Sequence, residues 1–199
     1  MTINAGGQSF PIDDVLFTFA LASEAADIYD QYNTLFTGIG KVNAAYALTN
    51  SIREKKPALI VNLGSAGSNY FQKGEVVCCN QFVQRDMDVR GLGFALYETP
   101  LSGLPVMLEY GLKLEGLQQG ICGTGDSFEM AHADSIYNVV DMEAYALAMI
   151  AMKEGIPFLS LKYISDGADD NAAEDWNVQV HLAAVAYGRI LTLTAGVCL

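Results

Sequence analysis

The 199-residue chain predicts an α/β fold, on three observations. First, apolar runs of strand length recur: "VLFTFALA" (15–22), "ALIVNLGSAGS" (58–68) and "PFLSLKYIS" (157–165) read as strands buried on both faces, the pattern of parallel sheets. Second, helical patterns alternate with them, which sets helices against the sheet. Third, 51% hydrophobic and 17% charged residues describe a chain able to bury a core. Its length fits one domain over 1–199, without linker, repeat or low-complexity tract.

Taken in order, residues 1–14 are polar and contain glycine, a flexible lead or an edge hairpin. After the strand at 15–22, Ser23 has the character of a helix N-cap, and Glu24 and Asp27 fall in the first turn, where acids favour the helix dipole. "NTLFTGIG" is a strand and glycine turn, and "KVNAAYALTNSIREKK" a helix stopped by Pro57. The strand at 58–68 ends in a loop of small residues. Residues 71–120 read as β-rich, from "GEVVCCNQFVQRDMDV" into short segments broken by Gly and Pro. "LQQGICGTGDSF" is a strand ending in a polar loop. "DMEAYALAMIAMKEG" is apolar almost all round and predicts a buried helix, ended by Gly155 with Pro157 blocking its continuation. "DWNVQVHLAAVAYGRILTLTA" (175–195) is the closing helix.

Charge narrows the function. With 11 basic against 23 acidic residues the net charge is −12, which excludes nucleic acid and anionic membrane surfaces as partners. No apolar stretch spans a bilayer, and residues 1–13 lack a signal peptide's basic start and apolar core. A cytoplasmic location follows as the expectation. Cys78, Cys79, Cys122 and Cys198 match no zinc spacing and are expected to be reduced. No metal and no cofactor is expected.

Chemistry in open α/β sheets collects at the carboxyl ends of strands. Four polar clusters fall at such ends: Ser23–Glu24, 64–68, 123–128 and 164–169. Their recurrence points to one shared pocket. "GIGKV" (38–42) is not a phosphate loop, because Leu35 and Val42 stand where that motif needs glycine and a hydroxyl. A glycine turn around Ile39, able to border a ligand, remains. His132 and His181 have no metal-ligand spacing, and no G-x-S-x-G elbow supports a serine nucleophile. Glu143 is either a helix-start acid or an acceptor for the hydroxyls of a polar ligand.

"TGIGKVNAAYAL", "LIVNLGSAGS", "GTGDSF" and "VDMEAYALAMIAMKEGIPFLSLKYISDGAD" together resemble the nucleoside phosphorylase/nucleosidase superfamily, and within it the 5′-methylthioadenosine/S-adenosylhomocysteine nucleosidases. The resemblance implies a three-layer α/β/α domain with a central mixed sheet, a homodimer, and hydrolysis of the N-glycosidic bond of an adenine nucleoside. Loss of the base leaves positive charge on the ribose, as in sugar hydrolysis. The reaction therefore needs a general acid at purine N7 and a general base for water. By resemblance Asp166 is that acid, oriented by Ser165, with its pKa expected to be raised by burial. Glu24 activates water, and Met142 and Glu143 line and bond the ribose. Ser65, Ala66 and Gly67 flank ribose and base, Phe128 stacks on adenine, and Trp176 stands where the family has a pocket-capping Phe. "DMDVRGLGF" resembles the segment lent to the neighbouring subunit's 5′ pocket, through Val89 and Leu92.

Three departures bear on the substrate. Lys162 replaces the arginine of R-x-I-S-D and lacks its bidentate fork, so what that arginine holds is expected to be held differently. Glu129 replaces an apolar residue after Phe128. Between about Pro100 and Ile121 the chain is too short for a helix that relatives carry. Three alternatives stand beside the hydrolase: a purine nucleoside phosphorylase, an aminodeoxyfutalosine-type nucleosidase and a non-catalytic nucleoside binder. The first is disfavoured because "ALASEAA" and "VNLGSAG" bring no arginine to offset phosphate beside Glu24. The last is disfavoured because both acid and base are present.

Overall fold

The computed structural model describes residues 1–130, 136–169, 172, 176, 179 and 182–194. Strands β1 (Thr2–Ala5) and β2 (Gln8–Pro11) pair antiparallel as a separate hairpin. Gly6 and Gly7 join them with φ of 57° and 74°, the left-handed pair that matches strand twist and that glycine adopts without strain. Strand alternation buries Ile3, Ala5 and Phe10 against the core. The start of the chain is thus an ordered hairpin, and it does not extend the main sheet.

The main sheet holds β3 (Val15–Phe19), β4 (Thr34–Phe36), β5 (Leu59–Gly67), β6 (Val76–Gln84), β7 (Met107–Glu109), β8 (Gln119–Thr124), β9 (Val139–Asp141) and β10 (Phe158–Asp166). It is mixed: β3, β4, β5 and β10 pair parallel, as do β6, β8 and β9, while β10–β6, β5–β9 and β6–β7 are antiparallel. Because β10 pairs with both β5 and β6, the strands β5, β9, β8, β6 and β10 close into a ring. β3 and β4 extend from β5, and β7 from β6.

Helices cover both faces, as the pleat dictates. Leu59, Val61, Leu63, Leu159, Leu161 and Tyr163 point to one side, where the hairpin and the closing helix α4 (Ala183–Thr194) supply Phe10, Ala183, Ala184 and Tyr187. Ile60, Phe158 and Ile164 point to the other, against α2 (Lys41–Glu54) and α3 (Ala144–Glu154). Ala144, Ala148 and Ala151 of α3 are fully buried, and such small side chains let α2 approach through Ala44 and Leu48. Gly155 ends α3 in the left-handed conformation, φ 63°, as expected of a C-terminal glycine. The second face also carries polar residues that satisfy one another: Ser160 Oγ bonds Asn62 Oδ1 at 3.1 Å, and Asn62 Nδ2 bonds Thr18 Oγ1 at 3.4 Å.

The expectations around Ser23 and at the start of the buried helix need correction. β3 stops at Phe19, and the short α1 (Ala22–Ala25) starts after Leu21, so Ser23 is not its cap. The cap comes from inside the turn instead, where Glu24 Oε2 accepts the Leu21 N–H at 3.1 Å. The buried helix begins at Ala144 and not at Asp141, which ends β9. Of residues 175–182 in the expected closing helix only Trp176, Gln179 and Leu182 are among those described. Between Thr99 and Gln118 there are β7, an isolated bridge from Gly111 to Phe158, and turns, but no helix, in keeping with the shortened segment there.

Tyr187 fastens α4 to the sheet. Its hydroxyl accepts the Gly64 N–H at 3.1 Å and the Tyr163 N–H at 2.8 Å, and donates to the Gly64 carbonyl at 2.7 Å. One phenol therefore satisfies three backbone groups between β5 and β10. Tyr187→Phe leaves all three buried and unpaired, at about 1–3 kcal/mol for each group without a substitute. We expect a loss of about 2–4 kcal/mol, read as a lower urea midpoint with an unchanged slope.

Candidate active site

At the carboxyl ends of β3, β5, β8, β9 and β10 the structure has a cavity of ≈ 370 Å³, within the range of small-molecule sites. All four polar clusters read from the sequence contribute to its lining.

On one side stands Glu24, 3% exposed. Its Oε1 accepts two hydrogen bonds from Ser65, from the N–H at 2.8 Å and the hydroxyl at 2.7 Å. The Leu21 amide holds Oε2, and the indole N–H of Trp176 donates to the Ser65 hydroxyl at 2.8 Å. α1 is followed by Ala26 at φ 46°, so a strained residue closes the turn that carries this carboxylate.

A second side is built by the end of β10. The β5–β10 register shifts between Ile164 and Asp166, so Ser165 is an inserted residue that re-aims the strand end. Asp166, 3% exposed, accepts the Ala168 N–H at 2.9 Å on Oδ1 and lies 2.8 Å from Ser165 Oγ through Oδ2. Ser165 Oγ is also 3.3 Å from the Ala66 carbonyl. A hydroxyl has one hydrogen and two lone pairs. It can give that hydrogen to an ionised Asp166, or give it to Ala66 and accept from a protonated Asp166. Space for Asp166 comes from Gly67, where a Cβ would fall 2.6 Å from Oδ1.

The third side is electrostatic. Lys162 and Asp141 are buried, with side chains 1% exposed, and meet at 2.8 Å. Burial alone would discharge the lysine, but the Asp141 carboxylate outweighs it and raises the ammonium's pKa. Burial likewise opposes the charge on Asp141, yet Lys162, the Thr124 hydroxyl and the Ala144 N–H hold its carboxyl below the ordinary value. Glu143 has no such cation. Burial first, then the neighbouring Asp141 charge, push its carboxyl up to about 8, against the pull of Lys162 and of the Gly40 N–H at 2.8 Å. Gly40, at φ 91°, ends the glycine turn that brings Ile39 to the cavity.

The last side is Phe128, 46% exposed, with Glu129 and Arg85. The replaced residue Glu129 does not stand as a lone charge, because Arg85 Nη1 bonds its Oε2 at 3.0 Å. Arg85 also donates to the Ser127 hydroxyl and carbonyl and to the Gly125 carbonyl.

The structure brings Glu24, Ile39, Ser65, Ala66, Gly67, Phe128, Glu129, Met142, Glu143, Ser165, Asp166 and Trp176 together at this cavity. It does not bring Val89 and Leu92, which lie away from the cavity of their own chain, Leu92 with 75% exposure in a 3-10 turn. Arg85 and Asp141 line the cavity and were missed. Each follows or ends a strand, the position that marked the other four clusters. Lys162 pairs with Asp141 and not with Glu24. Asp169 is exposed in the turn after β10. His132, His181, Asp170 and Cys198 lie outside the described residues, and Cys78, Cys79 and Cys122 are buried free thiols. Among the described residues no group of three His, Cys, Asp or Glu side chains is placed to hold a metal, and no helix is long and apolar enough to cross a membrane.

Similar proteins share this framework. A 5′-methylthioadenosine/S-adenosylhomocysteine nucleosidase of Marinomonas sp. (strain MWYL1) is 31% identical over 171 residues, 75% of this chain and 74% of the relative. The same-named protein of Exiguobacterium sp. is 34% identical over 183 residues, 79% and 76% of the two chains. Among solved structures, a Helicobacter pylori nucleosidase mutant with 5′-methylthioadenosine in its active site superposes with a TM-score of 0.80 at 20% identity, covering 91% of this chain and 97% of that one. A futalosine hydrolase of the same species superposes with 0.82 at 19% identity, covering 92% and 97%. These two likenesses show the shared mixed α/β fold. Residues 32–192 match the phosphorylase superfamily, and the chain belongs to it.

Proposed function

We propose that the protein is a purine nucleosidase that hydrolyses the N-glycosidic bond of a 5′-thio-substituted adenine nucleoside. The observation that carries this reading is the convergence of three buried carboxyl groups, Glu24, Glu143 and Asp166, on one nucleoside-sized cavity, each with different hydrogen-bond partners. The two named nucleosidases, alike over three quarters of this chain, support it.

In this mechanism Phe128 stacks on the adenine, and Asp166 gives its proton to N7 as the C–N bond breaks. The bonding electron pair leaves with the base, and the ribose becomes oxocarbenium-like. Water attacks the anomeric carbon and passes a proton to Glu24, the general base. Glu143 and Met142 hold the ribose. Ser165 serves Asp166 before and after transfer, because it can donate or accept. The products are adenine and a free thioribose, and proton exchange with solvent resets the two carboxyl groups.

Water is favoured over phosphate as the nucleophile. The one arginine lining the cavity, Arg85, is committed to Glu129, so among the described lining residues no unpaired cation is left for a phosphate dianion beside Glu24. The same reading takes the active form as a homodimer. Val89 and the exposed Leu92 of one copy are then free to complete the 5′ side of the other's cavity.

Incubation with 5′-methylthioadenosine should release adenine and free methylthioribose at the same rate with and without phosphate. A ribose 1-phosphate formed only when phosphate is present would overturn hydrolysis, and no adenine release would overturn the substrate. Asp166→Asn removes the proton donor at constant shape and should lower kcat by about 10²–10⁴-fold while calorimetry still detects nucleoside binding. Wild-type turnover in that variant would remove Asp166 from the acid role.

Glu143 makes stability depend on pH. The folded chain keeps a proton there up to about pH 8, which the unfolded chain releases near the ordinary carboxylate value of about 4.3. The folded state binds more protons in between, so this stabilisation is complete below the unfolded value and lost as pH rises towards 8. Glu143→Gln has no such proton to lose. From pH 5 to pH 8 its urea stability should gain on wild type by on the order of 2 kcal/mol, and parallel pH curves for the two proteins would contradict a proton on Glu143.

A further inference from the structure

We infer that Trp176 is a positioning residue for the water-activating Glu24, acting through Ser65 and resting on the hydrolytic reading above. An aromatic residue at the rim of a cavity commonly serves as a wall, and a phenylalanine would do that as well. Trp176 adds a donor. Its Nε1–H reaches Ser65 Oγ at 2.8 Å, and Ser65 Oγ reaches Glu24 Oε1 at 2.7 Å.

The chemistry of the three groups sets the direction of this chain. Indole N–H donates only, a carboxylate accepts only, and a serine hydroxyl carries one hydrogen between two lone pairs. With the indole hydrogen filling one lone pair, the hydroxyl hydrogen points at Glu24. The Ser65 N–H donates to the same Oε1 at 2.8 Å, so that oxygen holds two donors. Oε2 accepts the Leu21 N–H alone among the described residues and keeps a lone pair for water. Hydrogen bonds in such a series polarise one another, which strengthens the hold on Oε1. Trp176 thus keeps the Ser65 hydroxyl hydrogen on Oε1 and leaves Oε2 the less encumbered oxygen for the substrate water. The connection spans 111 residues from β5 to the segment before α4, so it sets the geometry of the base only in the completed fold.

Trp176 is the chain's one tryptophan, so its emission reports this contact without substrate. Three variants test the inference: Trp176→Phe, Ser65→Ala and the double substitution. Trp176→Phe keeps the aromatic wall and should lower kcat for 5′-methylthioadenosine about 3- to 10-fold, the worth of one hydrogen bond, with KM changed less than about twofold. The double variant should be no slower than Ser65→Ala, because both changes cut one chain. Ser65→Ala should shift the tryptophan emission of the unliganded protein, and Ser65→Thr, which restores the hydroxyl, should return it. A rise in KM alone for Trp176→Phe, additive losses in the double variant, or an emission spectrum indifferent to Ser65→Ala would each overturn the inference. Absence of adenine release by the wild type would overturn the reading of the reaction instead, while the emission measurement would still decide whether indole and serine are bonded.

Discussion

Lys162 and Asp141 are opposite charges whose side chains are 1% exposed, meeting at 2.8 Å between β10 and β9. Taking either out of water alone costs several kcal/mol, so each permits the burial of the other. Such a pair is better evidence of specificity than of stability. On β10 the residues beside Lys162, Leu161 and Tyr163, face the apolar cluster under α4. A slip of one residue in β10 would turn the ammonium into that cluster and leave Asp141 without its cation. The ion pair therefore fixes the register that brings Ser165 and Asp166 to the cavity.

Its reach extends through Asp141. The carboxylate that takes Lys162 also accepts the Thr124 hydroxyl and the Ala144 N–H, while Thr124 Oγ1 accepts the Tyr145 N–H at 2.9 Å. The end of β8, the end of β9 and the first turn of α3 are thereby tied to β10. The same arrangement separates two neighbouring carboxyl groups. Lys162 is spent on Asp141, which stays ionised, and the resulting negative charge helps keep a proton on Glu143. Two acids two residues apart along the chain thus have opposite tendencies, set by which of them holds the cation.

Residues that declare themselves by periodicity or by position at a strand end were legible in the sequence. β5, β10, α2 and α3 are long patterned runs; Ser65 and Asp166 stand at the ends of two of them, Glu24 just after the apolar run at 15–22, and Glu143 just before α3. What escaped has no local signature. β9 is three residues long, too short to show a period, so Asp141 was absorbed into the helix that follows. Ser23 looked like a cap because hydroxyls favour that place, but Glu24 reached back and supplied the bond. Arg85 and Glu129 lie 44 residues apart, and only their meeting explains why a charged residue is tolerated after Phe128. The hairpin at the start was readable as one of two alternatives, and burial of Ile3 and Phe10 decides between them.

Lys162 meets a single oxygen of Asp141. A guanidinium draws its advantage from two parallel bonds to both oxygens of a carboxylate. Each Asp141 oxygen already holds one neutral donor, Oδ1 the Thr124 hydroxyl and Oδ2 the Ala144 N–H. A compact ammonium needs only the remaining lone pair on Oδ2, and it fits a fully buried place. The bonded partners of Glu24 among the described residues are by contrast all neutral: the Leu21 and Ser65 amides and the Ser65 hydroxyl. The cation is instead spent at Asp141, and the orientation of Glu24 is left to hydrogen bonds.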